Sequence, residues 1–133
     1  MTLYDSSVLI EYLNGDAEAV NYVHSHRDER AVAPPLVLFE VYQGEVFKTG
    51  PADFDAVDGA LEWLTVLDET AELARTAGEL QDSLQQWGEP LTARDAYIAG
   101  TAKGLGERLV VADTDFDVAG ITDLLSIDFL NKD

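Results

Sequence analysis

The chain has no cysteine among its 133 residues, which excludes disulfides and thiolate zinc sites and suits a reducing compartment. Basic residues are scarce: eight Lys and Arg stand against 26 Asp and Glu, and the only lysines are Lys48, Lys103 and Lys132. Without a basic patch, a polyanionic partner has to be held by a metal and a few local cations. Histidine is limited to His24 and His26, two apart on an expected helix and so facing different ways. Long hydrophobic runs are missing as well. The longest, residues 31–39, contains Pro34 and Pro35 and is far too short to span a bilayer. The N-terminus lacks a basic n-region and carries Asp5 and Glu11 within its apolar part, unlike a signal peptide. A soluble cytoplasmic protein is expected. Linkers, repeats and low-complexity tracts are absent too, and 47% apolar residues suit one globular domain spanning 1–133.

What the chain has in excess is negative charge. Its formal net charge is −18, spread along the whole length instead of gathered in a tail. Such a charge makes the compact state repel itself at low ionic strength. At molar salt, where the Debye length is about 3 Å, that repulsion is almost erased. The even spread favours a halophilic protein over a merely solvated acidic face.

Short apolar runs alternate with amphipathic segments. Residues 2–5 read as a buried strand, and Ser6 to Asn14 as a helix stopped by Gly15. Asp16 to about Asp28 reads as a second helix, with Ala17, Val20, Val23 and His24 on one face. Ala31–Ala33 is a short strand, and Pro35 opens a helix running to about Lys48. Beyond the Thr49-Gly50-Pro51 break come a helix over 52–64, a strand over 65–67 and a long helix over 70–87. Thr92 caps a helix that Gly106 ends. Residues 108–112 form the clearest strand, and a last strand falls near 125–129. The alternation predicts an α/β fold with a mainly parallel sheet and helices on both faces.

Four acids lie at the edges of, or inside, the most apolar stretches: Asp5, Glu40, Asp95 and Asp113. Ionised carboxylates beside a core are expensive to desolvate unless paired or bound to metal. No basic residue is a sequence neighbour of Asp5, Glu40 or Asp113. A shared hard cation is the economical explanation, since Mg²⁺ takes oxygen ligands and keeps room for water and substrate phosphate. Each acid also has a plainer reading. Asp5 suits a helix N-cap, Asp95 the third position of a capping box begun by Thr92, and Asp113 and Asp115 a turn. Glu40 resists most, because residues 31–42 are otherwise apolar, Pro or Tyr. A buried Glu bonded to a backbone amide is its alternative, and Gly44, one helical turn on, suggests a need for room beside it. Asp5 and Asp113 end strands while Asp95 opens a helix, as expected of a site beyond the carboxyl ends of a parallel sheet. Competing chemistries fit less well. Ser6 and Ser7 lack a G-x-S-x-G elbow. The acid pair around Thr114 follows a late strand, not the first as in haloacid-dehalogenase-type phosphatases. A receiver domain would need a lysine after a late strand.

The segments Asp5-Ser6-Ser7-Val8-Leu9, the helix bearing Glu40, Leu91-Thr92-Ala93-Arg94-Asp95-Ala96-Tyr97-Ile98-Ala99 and Leu109-Val110-Val111-Ala112-Asp113-Thr114-Asp115-Phe116 resemble, in that order, the PIN-domain family. Within it they resemble the VapC-type toxins of toxin–antitoxin pairs. The resemblance implies a three-layer α/β/α fold and an endoribonuclease dependent on Mg²⁺ or Mn²⁺. It makes Asp5, Glu40, Asp95 and Asp113 the catalytic acids, holding metal together with Asp115. Ser6, Ser7 and Thr114 would orient ligands or water around them. Arg94 and Lys103, on the Asp95 helix, are the candidate phosphate contacts. The implied partners are an RNA substrate, a VapB-like DNA-binding antitoxin and a second copy of the chain. A metal-dependent phosphatase and a non-catalytic PIN-like module are the alternatives. Residues 35–64 hold more apolar side chains than two short helices need on one sheet face, so part of that surface is expected to be exposed for a partner.

Overall fold

The computed structural model describes residues 1–130. The short apolar runs become five strands: β1 (Thr2–Tyr4), β2 (Ala31–Ala33), β3 (Leu64–Val66), β4 (Arg108–Val111) and β5 (Ile127–Phe129). They pair in the order β3-β2-β1-β4-β5, and every pair is parallel. The inner strands are the core: β1 and β2 are buried throughout, as are Leu109, Val110 and Val111 of β4. Strands covered on both faces carry unbroken apolar sequence, which is why the pattern here is runs and not alternation.

The helices are α1 (Ser6–Leu13), α2 (Ala17–Ser25), α3 (Pro35–Val46), α4 (Phe54–Ala60), α5 (Ala71–Trp87), α6 (Ala93–Leu105) and α7 (Ile121–Leu124), with a 3-10 turn at Thr114–Phe116. Side-chain caps set most starts: Asp16 accepts from the Ala19 amide at 3.1 Å, Asp53 from Ala56 at 3.0 Å and Thr70 from Leu73 at 3.2 Å. Gly106, at φ +68°, ends α6, where a left-handed residue is needed. Right-handed crossovers place α1 to α4 on one face and α5 to α7 on the other. The packing agrees: α1 meets α2 and α3, α3 meets α4, and α5 meets α6. The last pair is very close, since a Cβ on Gly100 would lie 2.2 Å from the Ala77 Cα. The result is the expected three-layer α/β/α sheet protein. Among the described residues no helix is long and apolar enough to cross a membrane.

The mainly parallel sheet is borne out, and among the described residues every strand pair is parallel. Several other expectations shift. On α2 the buried residues are Ala19 and Val23, while Ala17 and His24 are exposed, because the helix is entered from Asp16 at a rotation that turns Ala17 outward. The helix expected over 52–64 is only α4, since Asp53 caps it late and Trp63 folds back to donate to the Ala60 carbonyl at 2.8 Å. The last strand starts at Ile127, because Leu125 is the C-cap of α7, a helix with too few residues to show periodicity. Gly44 clears no room for Glu40. A Cβ there would make ordinary contact with the Ile10 side chain at 3.7 Å, so that glycine belongs to the α1–α3 contact.

The topology fixes one further point. From β1 the chain winds outward to β2 and β3, then returns to β4 and winds the other way to β5. The reversal lies between β1 and β4, and in parallel sheets ligands bind beyond the carboxyl ends of strands at such a place.

Candidate active site

Asp5 is the first residue past β1. Its amide still donates to the Val110 carbonyl of β4 at 3.0 Å, so its backbone is fixed by the sheet. Its side chain caps α1, accepting from the Ser7 amide at 3.2 Å and the Ser7 hydroxyl at 2.5 Å. The Ser7 Oγ in turn accepts from the Ala112 amide just past β4, at 3.0 Å. One serine thus ties the carboxylate to the strand ends on both sides of the reversal. Asp5 is 1% exposed, and burial pushes its carboxyl above the ordinary carboxylate range despite the Arg94 charge and the Ser7 bonds, which act the other way.

Asp95 sits in the first turn of α6, where Thr92 Oγ1 accepts from its amide at 3.3 Å. The capped first turn and the cleft wall coincide at Asp95, where a carboxylate also faces the positive end of the helix. Upstream, Gln81 of α5 clamps the entry to that helix. Its side-chain amide donates to the Leu91 carbonyl at 2.5 Å and accepts from the Leu91 amide at 3.0 Å. Glu40 arrives from α3, half-buried.

Arg94 joins these acids. Its Nε donates to Glu40 Oε2 at 2.8 Å, its Nη2 donates to Glu40 Oε1, and its Nη1 donates to Asp95 Oδ1 at 2.6 Å. The same Nη2 donates to Ser6 Oγ at 2.8 Å and lies 2.9 Å from Asp5 Oδ1. Burial works against the guanidinium charge, but the bonds to Glu40 and Asp95 and the Asp5 charge outweigh it and raise the Arg94 pKa above its ordinary value. Asp5 and Glu40, with no basic residue beside them in sequence, thus gain a basic partner from the fold. The partner comes from 54 residues beyond Glu40, where sequence adjacency cannot show it. One local signal does exist: an arginine in the first turn of a helix opposes the dipole and calls for carboxylates nearby.

Asp113 and Asp115 line the same cleft, of about 390 Å³, together with Asp5, Ser6, Ser7, Glu40, Arg94 and Asp95. Asp113 caps the 3-10 turn, accepting from the Asp115 amide at 2.9 Å, so its turn-forming reading also holds. Thr114 is exposed and is not part of the cleft wall. Lys103 is likewise outside, near the far end of α6, donating to the Leu124 carbonyl at 2.8 Å. As a phosphate contact it is withdrawn. Arg94 is in the cleft, but its donors are engaged by acids.

Among the described residues no three acidic or histidine side chains stand close enough to hold a metal as they lie, since the guanidinium spreads Asp5, Glu40 and Asp95 around itself. Two observations nonetheless fit a hard cation. The donors are all oxygens, as Mg²⁺ and Mn²⁺ prefer. In addition, the buried Asp5 Oδ1 accepts no hydrogen bond. Its contact with Arg94, at 2.9 Å, is an ion pair without hydrogen-bond alignment. With the guanidinium withdrawn, Asp5, Glu40 and Asp95 could hold such an ion, with Asp113 and Asp115 in the same cleft.

A family model for the PIN domain matches residues 2–121. The chain belongs to the PIN-domain family. By sequence alone no curated protein matches it. In fold, this PIN domain is similar to chains in three solved structures. One is VapBC2 from Rickettsia felis bound to a DNA fragment from their promoter (TM-score 0.79, 19% identity, covering 96% of this chain and 97% of that one). Another is DNA-bound VapBC from Salmonella typhimurium (0.77, 21%, 96% of each). The third is a toxin-antitoxin complex from Klebsiella pneumoniae (0.74, 22%, 91% and 92%). At such identities the likeness concerns the fold of the PIN domain alone.

Proposed function

We propose that this PIN domain is an endoribonuclease dependent on Mg²⁺ or Mn²⁺, and the toxin of a toxin–antitoxin pair. The observation that carries the reading is the gathering of Asp5, Glu40, Asp95, Asp113 and Asp115 in one cleft at the strand reversal, three of them around a single cation. A bound divalent ion would supply charge neutralisation at a phosphodiester and a more acidic water. The chain's own part is to fix the acids. Ser7 holds Asp5 against the end of β4, while Thr92 and Gln81 hold the start of α6. Asp113 and Asp115 bring two more carboxylates to the cleft, and among the described residues neither is in an ion pair with a cation. Those two are the groups left to orient water or accept a proton.

The partner reading rests on two supports. One similar structure is a toxin–antitoxin complex by its own description, and another is VapBC2 bound to a fragment of its promoter DNA. Phe39 (59% exposed), Val46 (50%), Phe47 (78%) and Phe54 (45%) line one apolar surface across α3, its C-cap and α4, larger than isolated exposed residues would give. A homodimer and a VapB-like antitoxin are the expected occupants of apolar surface, and light scattering in molar KCl reads the first.

The deciding assay presents end-labelled RNA and a small phosphate monoester in molar KCl, with Mn²⁺, Mg²⁺ or EDTA. Cleavage of RNA with metal, lost in EDTA and in Asp95→Asn, is expected. Hydrolysis of the monoester with RNA intact would replace this reading by the phosphatase. Inertness toward both would leave the non-catalytic module.

A further inference from the structure

We infer that the Arg94 guanidinium and the divalent metal are mutually exclusive occupants of one position, so that metal uptake is an exchange that expels the arginine. The inference rests on the metal-dependent reading above. Its starting point is Nη2, around which Asp5 Oδ1, Glu40 Oε1 and Ser6 Oγ are gathered, with Asp5 at 2.9 Å and Ser6 at 2.8 Å. Mg²⁺ takes oxygens at about 2.0–2.1 Å, so the two acids need to close by less than about 1 Å each on the place that the nitrogen fills. No second cation fits beside the first.

Charge and direction both favour the exchange. Three carboxylates surround one positive charge, which leaves two negative charges uncompensated. A divalent ion carries twice what the guanidinium brings. The guanidinium is planar and serves only acceptors that lie along its N–H directions, and Asp5 Oδ1 is out of line, buried and without a hydrogen bond. A spherical cation has no such restriction. Arg94 also has a way out. It belongs to the first turn of α6 and its side chain is 28% exposed, so it can turn into the cleft mouth without disturbing the helix. In the metal-free protein the arginine then keeps three acids from repelling one another, and metal binds more weakly than the bare acids would bind it.

Calorimetric titration of Mn²⁺ into wild type, Arg94→Gln and Lys103→Gln, without RNA, tests the exchange. Lys103→Gln removes the same charge from the same helix outside the cleft. Arg94→Gln should bind Mn²⁺ at least tenfold more tightly than wild type, with Lys103→Gln unchanged. Should Arg94→Gln fold poorly without metal, Arg94→Lys keeps a cation but cannot reach all three acids, and it too should bind more tightly than wild type. A second reading follows the Arg94 Nε–H resonance, held by Glu40 in the metal-free protein, which should shift as Mg²⁺ is added. Equal or weaker Mn²⁺ affinity in both Arg94 variants, or an Nε–H signal unmoved at saturating Mg²⁺, overturns the exchange while leaving metal dependence intact. Flat titrations in every protein overturn both, and so identify the metal reading as the one that failed.

Discussion

Ser7→Ala removes one oxygen that bonds in two directions. The Ser7 hydroxyl donates to the ionised Asp5 carboxylate at 2.5 Å, an interaction worth about 1.5–3 kcal/mol. The same oxygen satisfies the Ala112 amide at 3.0 Å. Leaving a buried amide without a partner costs about 1–3 kcal/mol, but Ala112 is half-buried and water can reach it, so the low end applies. With some relaxation the loss should be about 2–3 kcal/mol. Ser6→Ala is the comparison. Its hydroxyl meets Arg94 alone, and Arg94 keeps its three acids, so a loss of about 1 kcal/mol or less follows. For a domain of this size 1 kcal/mol moves Tm by about 4 °C, so thermal melts of metal-free protein in molar KCl should separate the two variants clearly. The functional effect should rank the same way: Asp5 loses its orienting partner in Ser7→Ala, and loss of such support typically reduces activity 10–100-fold. A Ser7→Ala protein within about 0.5 kcal/mol of wild type, or one more stable than Ser6→Ala, would refute the bridge between β1 and β4.

Asp5→Asn should abolish hydrolysis and, without metal, raise Tm at pH 7. Burial raises the Asp5 pKa in the fold, so its favourable contribution is present below the ordinary carboxylate range and is lost as pH climbs through the raised value. The gain of Asp5→Asn over wild type should therefore vanish near pH 4, and a gain that instead grows toward acid would contradict it. Gly100→Ala puts a methyl 2.2 Å from the Ala77 Cα, and overpacking of that kind costs about 1–3 kcal/mol. Gly78→Ala, in α5 with nothing within 4 Å, should stabilise by up to about 1 kcal/mol, and urea melts that reverse this order would disprove the close α5–α6 contact. Stability should rise from about 0.1 M to several molar KCl as the repulsion of a −18 chain is screened, and a Tm that is flat or falls over that range argues against salt adaptation.

Much of the fold was legible because its signals are local. Leu109-Val110-Val111 reads as a buried strand from three consecutive residues, and the α6 helix is bracketed by the Thr92 cap and Gly106. Asp5 and Asp95 could be singled out for the same reason, since each ends or opens an element while facing apolar sequence. What stayed hidden lacked a local pattern. The α7 helix has four residues after a glycine at φ +93°, too short to show a period. The Gln81 clamp on Leu91 joins two backbone groups ten residues away, and nothing in its neighbours announces it. Glu40 was legible as an acid out of place, but not what it meets, because Arg94 lies on the opposite side of the sheet reversal.

Scarce cations sharpen that last point. A second arginine, Arg108 at the start of β4, also gathers acids: it donates to Glu29 at 2.5 Å, lies 3.8 Å from Asp128, and sits 3.4 Å from the His26 Nε2. Each end of the sheet is thus held by one arginine that collects carboxylates from separate elements, and both pairs are partly buried, so molar salt screens them less than surface charges. Convergence of acids on an arginine therefore does not by itself mark a metal site. The two clusters differ in what they leave unsatisfied. At Arg108 the buried group without a partner is the arginine's own Nε donor, whereas beside Arg94 it is an acceptor, Asp5 Oδ1. A spare donor repels a metal ion and a spare carboxylate oxygen attracts one. Of the two, the Arg94 end lies at the strand reversal beside an open cleft, so under the proposed exchange the device that fastens one end of the sheet would become, at the other, a cation that a metal replaces.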